Sequence, residues 1–317
     1  MSEFIAERMW PEARVERSIF GTDEPEEIWK LVLAICPKAV GCFAFEVSVG
    51  ALLGLALADG ARVALKVHVD RAQDAYLEAM QAVQEHLWRR GFPCPRPLGV
   101  RGRATLEEWR DEGEYLDAHD PAVRRVLAEL LVRLVELARD LEPSPALVPF
   151  LPRSGGPLWP KPHNVLFDFE ATAEDAGWID EIATAARRRR DADPGELVIG
   201  HHDWTAKHVR FAGLEARVVY DWDSVSADLE PVFAGEAAAT FTYTEHLPVE
   251  RWPTVEEAQS FLDDYEQARG RPFTARERGT ARAAAVYTRA YSTRCIHAFG
   301  GDARSLRLDE YARELLD

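Results

Sequence analysis

Two apolar-rich runs, 47–58 and 61–69, meet at the dipeptide Asp59-Gly60. Asp-Gly tolerates the positive φ values of a tight turn whose twist matches that of paired strands, so these runs are expected to form an antiparallel hairpin. Along the second run, Val63, Leu65 and Val67 point to one face, while Arg62, Ala64, Lys66 and His68 point to the other. A lysine inside a strand is unusual unless it faces a cleft. Beside Ala64 it would let a flat ring lie on the small residue while the ammonium meets phosphate oxygens. An exposed edge lysine is the competing reading.

The surrounding pattern extends this hairpin into an α+β chain of two lobes. The first third reads mostly as strand. A helix is expected over 72–90, stopped by Gly91 and followed by a stiff connector with Pro93, Pro95 and Pro97. Strands should follow at 98–100 and 104–109. From Pro121 the period changes: Val126, Leu127, Leu130, Leu131, Leu134, Leu137 and Leu141 recur at helical spacing. The boundary therefore falls near 104–112, giving an N-lobe of sheet plus helix over 1–106 and a mostly helical C-lobe over 107–317. With 317 residues, 47% of them hydrophobic, the chain can fill two cores. Residues 142–162 form a proline-rich loop. Residues 209–211 and 217–222 read as a second hairpin, and 256–269 and 275–299 as long helices.

Composition excludes several functions. No apolar stretch approaches a membrane span, and the N-terminus lacks a signal-peptide core, so a cytoplasmic protein without membrane partners is expected. The four cysteines form no C-x-x-C pair and read as reduced structural thiols. A net charge of -16 opposes nucleic-acid binding. The basic run 187–190 closes a helical pattern with Ile179, Ile182, Ala183 and Ala186, where arginines complement the negative helix end. Thr172 and Asp175 have capping-box spacing at its start. Nothing in the sequence sets an oligomeric state.

Chemistry-bearing residues occur in an informative order. After the lysine strand come His201-His202-Asp203-Trp204 and Lys207-His208, then the apolar stretch Val218-Val219-Tyr220 ending in Asp221-Trp222-Asp223. Carboxylates at a strand end suit a hard divalent cation, although turn chemistry also uses them. The helix after Lys66 carries Glu78 and Glu85, either able to orient the lysine. A zinc or two-metal hydrolase would use similar residue types. However, adjacent His201 and His202 would diverge on extended backbone, and Lys66 would have no purpose.

The ordered set resembles the aminoglycoside phosphotransferase and choline kinase group, which shares the protein kinase fold. Val63-Ala64-Leu65-Lys66 is similar to the kinase lysine strand, Gly200-His201-His202-Asp203-Trp204 to its catalytic loop, and Tyr220-Asp221-Trp222 to its metal-binding segment. Gly91-Phe92-Pro93-Cys94-Pro95 fits the connector, and the likeness runs from about Glu46 to Phe299. It implies transfer of the γ-phosphoryl of ATP or GTP to a hydroxyl of a small molecule. Lys66, held by Glu78, would contact the α/β-phosphates. Asp203 would orient the hydroxyl and accept its proton, and Asp221 would hold Mg2+. His201 would steady the loop. The nucleotide would lie between the lobes, against Ala64, Ser48 and Gly50, with adenine on backbone groups at Leu106, Glu107 and Trp109. Asp223, Asp228 and Glu230 would give the acceptor side an acidic lining suited to an amine-bearing molecule, such as an aminoglycoside or amino alcohol; a structural Asp228 that closes the loop after the metal strand is the alternative.

Two departures from the pattern leave an alternative, a nucleotide-binding pseudokinase or regulatory module. His208 stands where the group carries a metal-binding asparagine, and imidazole favours softer ions such as Mn2+ over Mg2+. Between Glu46 and Leu55 the only glycines are Gly50 and Gly54, which limits close backbone approach to phosphates. Residues 162–168 imitate the end of a catalytic loop, but no His-x-Asp precedes them. They are read as a C-lobe insertion lining the acceptor site.

Overall fold

The computed structural model describes residues 1–69, 74–151, 153 and 156–316. The expected helix start at Ala72, together with Pro152 and Asp317, lies outside them. The chain divides into two compact units: residues 1–85, 95–110 and 162–167, and residues 86–94, 111–161 and 168–317.

The first unit begins with three helices, α1 (Ser2–Ala6), α2 (Arg14–Phe20) and α3 (Pro25–Ile35). Strand was expected here. Ile28 and Val32 lie one helical turn apart and are both buried, so the spacing that decides the element is four residues, not two. Five strands follow, β1 (Ala39–Val47), β2 (Ala51–Leu57), β3 (Arg62–Val67), β4 (Pro97–Arg101) and β5 (Ala104–Glu108), with α4 (Asp74–Arg89) between β3 and β4. The sheet order is β1-β2-β3-β5-β4, antiparallel throughout. Val63, Leu65 and Val67 join Ile5, Ile19, Ile28 and Val32 in its core.

The Asp59-Gly60 turn is wider than a two-residue loop. Residues 58–61 separate the strands, Leu57 N donates to Ala61 O at 2.8 Å, and the Asp59 side chain accepts from Ala61 N at 3.0 Å. The side chain mimics a backbone turn, and Gly60 takes φ +86°. Residues 162–167 depart from expectation. They belong to the first unit, where Asn164 Nδ2 donates to Ser48 O at 2.9 Å and Leu166 packs on the sheet core.

The second unit holds α5 (Pro121–Ala138), α6 (Gly177–Arg190), β6 (Leu197–His201), β7 (Val209–Ala212), β8 (Glu215–Val219), β9 (Val225–Leu229), α7 (Glu230–Thr240), α8 (Val255–Ala268), α9 (Ala275–Ala298) and α10 (Leu308–Leu316). β6 pairs with β9 and β7 with β8, both antiparallel. Every residue of α7 is buried. At Gly235 an added Cβ would stand 2.0 Å from Ala281 O, so α7 can meet α9 this closely only with glycine there. Thr254 and Thr274 build full capping boxes on α8 and α9. The capping box expected at Thr172 does not form: α6 starts later, and the Thr172 hydroxyl donates to Asp168 O. Arg187 and Arg190 are buried, and Arg187 satisfies the carbonyls of Arg153, Gly156 and Pro157, which makes half of the basic run structural.

Candidate active site

The loop that follows β6, residues 200–208, is anchored at each end by close packing. Gly200 of β6 lies flat against the Phe233 ring of α7; a Cβ would come within 2.5 Å of that ring. Beyond the loop's turn, buried Trp204 donates its indole N–H to Leu127 O of α5 at 2.9 Å. Between them, His202 N donates to Ser224 O at 2.9 Å. These contacts fix the backbone on either side of Asp203.

Adjacent His201 and His202 turn to different partners. His201, 1% exposed, donates from Nε2 to Asp221 O at 2.9 Å. Burial pushes its pKa down to about 4, so it stays neutral and braces the Asp221 carbonyl. His202 bonds the Glu236 carboxylate through Nδ1 and the Ser226 hydroxyl through Nε2. Burial works to lower its pKa, but Glu236 outweighs it and the net shift is upward. The two rings are turned to different partners and do not converge on one ion.

Asp203, His208 and Asp221 converge, with one ligand atom from each within 4.8 Å of the others. His208 Nε2 lies 2.9 Å from Asp203 Oδ2 and 3.7 Å from Asp221 Oδ2. Two carboxylates and one imidazole form a donor set that fits a divalent cation with a taste for nitrogen. The β7–β8 hairpin delivers His208 and Asp221 together, since Tyr220 N donates to His208 O at 2.8 Å. Asp221 itself sits at φ +65°, ψ 47°, a left-handed conformation that aspartate tolerates better than most residues. Ser224 secures it, its hydroxyl donating to Asp221 Oδ2 at 3.0 Å.

Asp203 keeps 40% of its side chain exposed. Partial burial would raise its pKa, but Lys207 and His208 outweigh that and hold it well below the usual carboxylate range. Asp203 therefore remains an anion able to accept a hydrogen bond.

The other expected site residues divide. Asp223 lies on the 3-10 turn Trp222–Ser224 and is not part of the converging trio. Asp228 is 0% exposed, accepts from Leu229 N at 2.7 Å and faces Arg153, and burial raises its pKa. Glu230 takes a bidentate pair from Arg269, both contacts at 2.9 Å, with Arg139 and Tyr265 on the same carboxylate. The acidic lining read at positions 228 and 230 is thus a pair of structural anchors, sealed from any acceptor.

In the first unit, Ala64 and Lys66 share a face of β3, Ala64 opposite Gly54 and Glu107, Lys66 opposite Leu52 and Thr105. Glu78 is exposed on α4, while Leu77, Met80, Val83 and Leu87 form its buried side, so Glu78 does not pair with Lys66. The Glu107 carboxylate instead accepts from Gln84 of α4 at 2.7 Å. β5 is hydrogen-bonded on both sides, Glu108 N donates to Arg96 O and Trp109 N to Arg62 O. The amides at 108 and 109 are therefore engaged within the sheet unit. The Trp109 ring packs edge-on against Phe43. Ser48 and Gly50 close a short turn between β1 and β2, with Ser48 N donating to Gly50 O at 2.9 Å. A Cβ on Gly50 would meet Val67 O at 2.7 Å, so glycine serves the sheet's own packing here.

Sequence reasoning passed over Ser224 and Glu236, whose roles depend on partners brought in by folding. It also gave no role to Lys207, whose position four residues after Asp203 was visible.

A lysine-bearing antiparallel sheet followed by a mostly helical unit is a protein-kinase-like fold, and the comparisons make the chain a small-molecule phosphotransferase. The profile of the phosphotransferase enzyme family matches residues 55–229, more than half of the chain, and the chain belongs to that family. Solved structures agree in fold. An amicoumacin kinase in complex with AMP-PNP, Ca2+ and Ami aligns at TM-score 0.65 and 12% identity, covering 93% of this chain and 94% of that one. A choline/ethanolamine kinase family protein from Mesorhizobium loti aligns at TM-score 0.54 and 15% identity, covering 92% and 94%. A microcompartment-associated aminopropanol kinase aligns at 0.56 and 13%, covering 91% and 95%. No curated protein sequence matches the chain. Among the described residues no helix is long and apolar enough to cross a membrane.

Proposed function

We propose that this phosphotransferase moves the γ-phosphoryl group of ATP or GTP to a hydroxyl of a small, amine-bearing molecule. The observation that carries the reading is the convergence of Asp203, His208 and Asp221. Asp203 orients the acceptor hydroxyl and takes its proton as the oxygen attacks phosphorus. Its lowered pKa suits orientation, with proton uptake late in the transfer. Asp221 and His208 hold the divalent cation, which when bound neutralises phosphate charge. The imidazole adds Mn2+ to Mg2+ as a suitable ion. His201 keeps the Asp221 carbonyl in place, and Lys66 supplies a cation for the nucleotide phosphates. The amine-bearing class rests on the acceptors that name the structural neighbours, amicoumacin, aminopropanol, and choline or ethanolamine.

The test is thermal stability with ATP or GTP, each with Mg2+ or Mn2+, for the natural protein and Asp221→Asn. Asparagine keeps the left-handed backbone and removes the charge. A ligand that binds the native state raises its melting temperature. A metal-dependent rise that disappears in the variant, followed by turnover with an amino-alcohol panel, supports the reading. No rise with either nucleotide at millimolar concentration refutes it, and binding without turnover indicates the pseudokinase.

A further inference from the structure

We infer that Lys207 is a catalytic residue, the cation that meets the phosphoryl group in flight beside Asp203. The inference rests on the phosphotransferase reading above.

Lys207 lies in the 3-10 turn Ala206–His208, and its backbone N–H donates to Tyr243 O at 3.0 Å. That bond aims the side chain. Its Nζ stands 3.8 Å from Asp203 Oδ2 and 5.2 Å from the centre of the Tyr243 ring. The Tyr243 hydroxyl donates to Glu245 at 2.6 Å, which fixes the ring. The side chain is 27% exposed.

A purely structural ion pair would look different. At 3.8 Å the ammonium is too far from Asp203 to donate a hydrogen bond, and His208 already bonds the same oxygen at 2.9 Å. The tyrosine face attracts the charge but accepts no conventional hydrogen bond. An ammonium has three donors, and these contacts leave them for a ligand.

The chemistry places a ligand there. An acceptor hydroxyl held by Asp203 at roughly 2.7 Å has its attacked phosphorus about 3 Å further on, within reach of a neighbouring lysine. As the acceptor oxygen bonds to phosphorus, the bond from phosphorus to the β-γ bridging oxygen breaks. The nucleoside diphosphate leaves with that electron pair, and the hydroxyl proton passes to Asp203. Lys207 keeps its proton throughout and donates to the equatorial oxygens, where charge is spread in the transition state.

ADP with aluminium fluoride imitates the transferring phosphoryl group and separates this role from nucleotide binding. Affinity for ADP, with Mg2+ or Mn2+, is measured calorimetrically with and without aluminium fluoride for the natural protein, Lys207→Met and Lys207→Arg. Fluoride is expected to tighten ADP binding by about tenfold or more in the natural protein. Lys207→Met should lose that gain while binding ADP alone within about twofold of the natural protein, as expected when only a transition-state contact is removed. Lys207→Arg should recover most of the gain. Equal fluoride tightening in Lys207→Met and the natural protein overturns the inference, as does its absence in the natural protein when ADP binds. Failure of the natural protein to bind ADP with either metal sinks the phosphotransferase reading itself. If Lys207→Met does not fold, Lys207→Arg and Lys207→Gln decide the question by the same ratio.

Discussion

The turn between β1 and β2 and the loop after β6 make an instructive pair. Both were singled out as functional segments, and both hinge on a glycine pressed against a neighbour. At Ser48–Gly50 the restraint is main-chain: one hydrogen bond across the turn, one from Asn164, and the Gly50 approach to Val67 O. At 200–208 the restraint comes from side chains, with His201 bonded to Asp221, His202 to Glu236 and Ser226, Trp204 to Leu127 and His208 to Asp203. A short turn governed by backbone can change sequence around its glycine without changing shape. A loop held by its side chains cannot, and Asp203 stands at its centre.

The sharpest way to break this comparison is Asp203→Asn. Of the loop's restraints only the His208 bond involves this carboxylate, and asparagine can still accept it, so nucleotide-induced stabilisation should persist, while kcat falls by ~10³ or more as the proposed general-base and orienting roles vanish. A steady-state assay with the acceptor found by the panel checks this. A fall below tenfold would demote Asp203.

The next effect is one of pH. His201 titrates near 4 in the fold against 6.5 in the unfolded chain, so the unfolded state binds more protons between those values. Its contribution is complete above pH 6.5 and is lost as pH falls toward 4, on the order of 3 kcal/mol. His202 has the opposite sign, because its folded pKa is raised: its contribution is complete below pH 6.5 and fades as pH rises through the folded value. Urea denaturation from pH 7 to pH 4.5 should show a shallower loss for His201→Asn than for the natural protein. Parallel curves would mean that His201 is not the buried neutral group described.

Gly200→Ala and Gly50→Ala come third, each expected to cost about 1–3 kcal/mol through a Cβ driven into its neighbour. The comparison predicts different companions for these losses. Gly200→Ala should also lower kcat, because Phe233 and the Asp203 loop shift together. Gly50→Ala presses on backbone of its own sheet and should leave kcat less affected than stability. Asn164→Ala is the smallest, about 1 kcal/mol or less, from one partly exposed hydrogen bond. Melting temperatures with kcat on the same samples would test all three.

The chemical trio was legible because its signal is local. Asp203, His208 and Asp221 sit within one loop and one hairpin, and residue types alone announce them. The α+β class was legible from the change of period after Pro121. Non-local choices were not. Glu78 and Glu85, nearly two helical turns apart, share one face of α4, and only the burial of Leu77, Met80 and Leu87 sets where that face points. Glu230 looked like an available acid because Arg269 and Arg139, its partners, are remote in sequence. Residues 162–167 follow a proline-rich loop of the second unit yet belong to the first, and no local pattern reports such a crossing. The N-terminal helices were misread because short amphipathic segments contain too few turns to establish a period.

The left-handed backbone at Asp221 has a consequence for how the position tolerates change. Few side chains accept φ +65°, chiefly glycine, asparagine and aspartate, and among these only aspartate is charged. A library selected for folding alone should keep all three at residue 221; one selected for metal-dependent turnover should keep aspartate. A single nucleotide change from an aspartate codon reaches either asparagine or glycine, so on the proposed reading this family member stands one mutation from a well-folded protein without its chemistry.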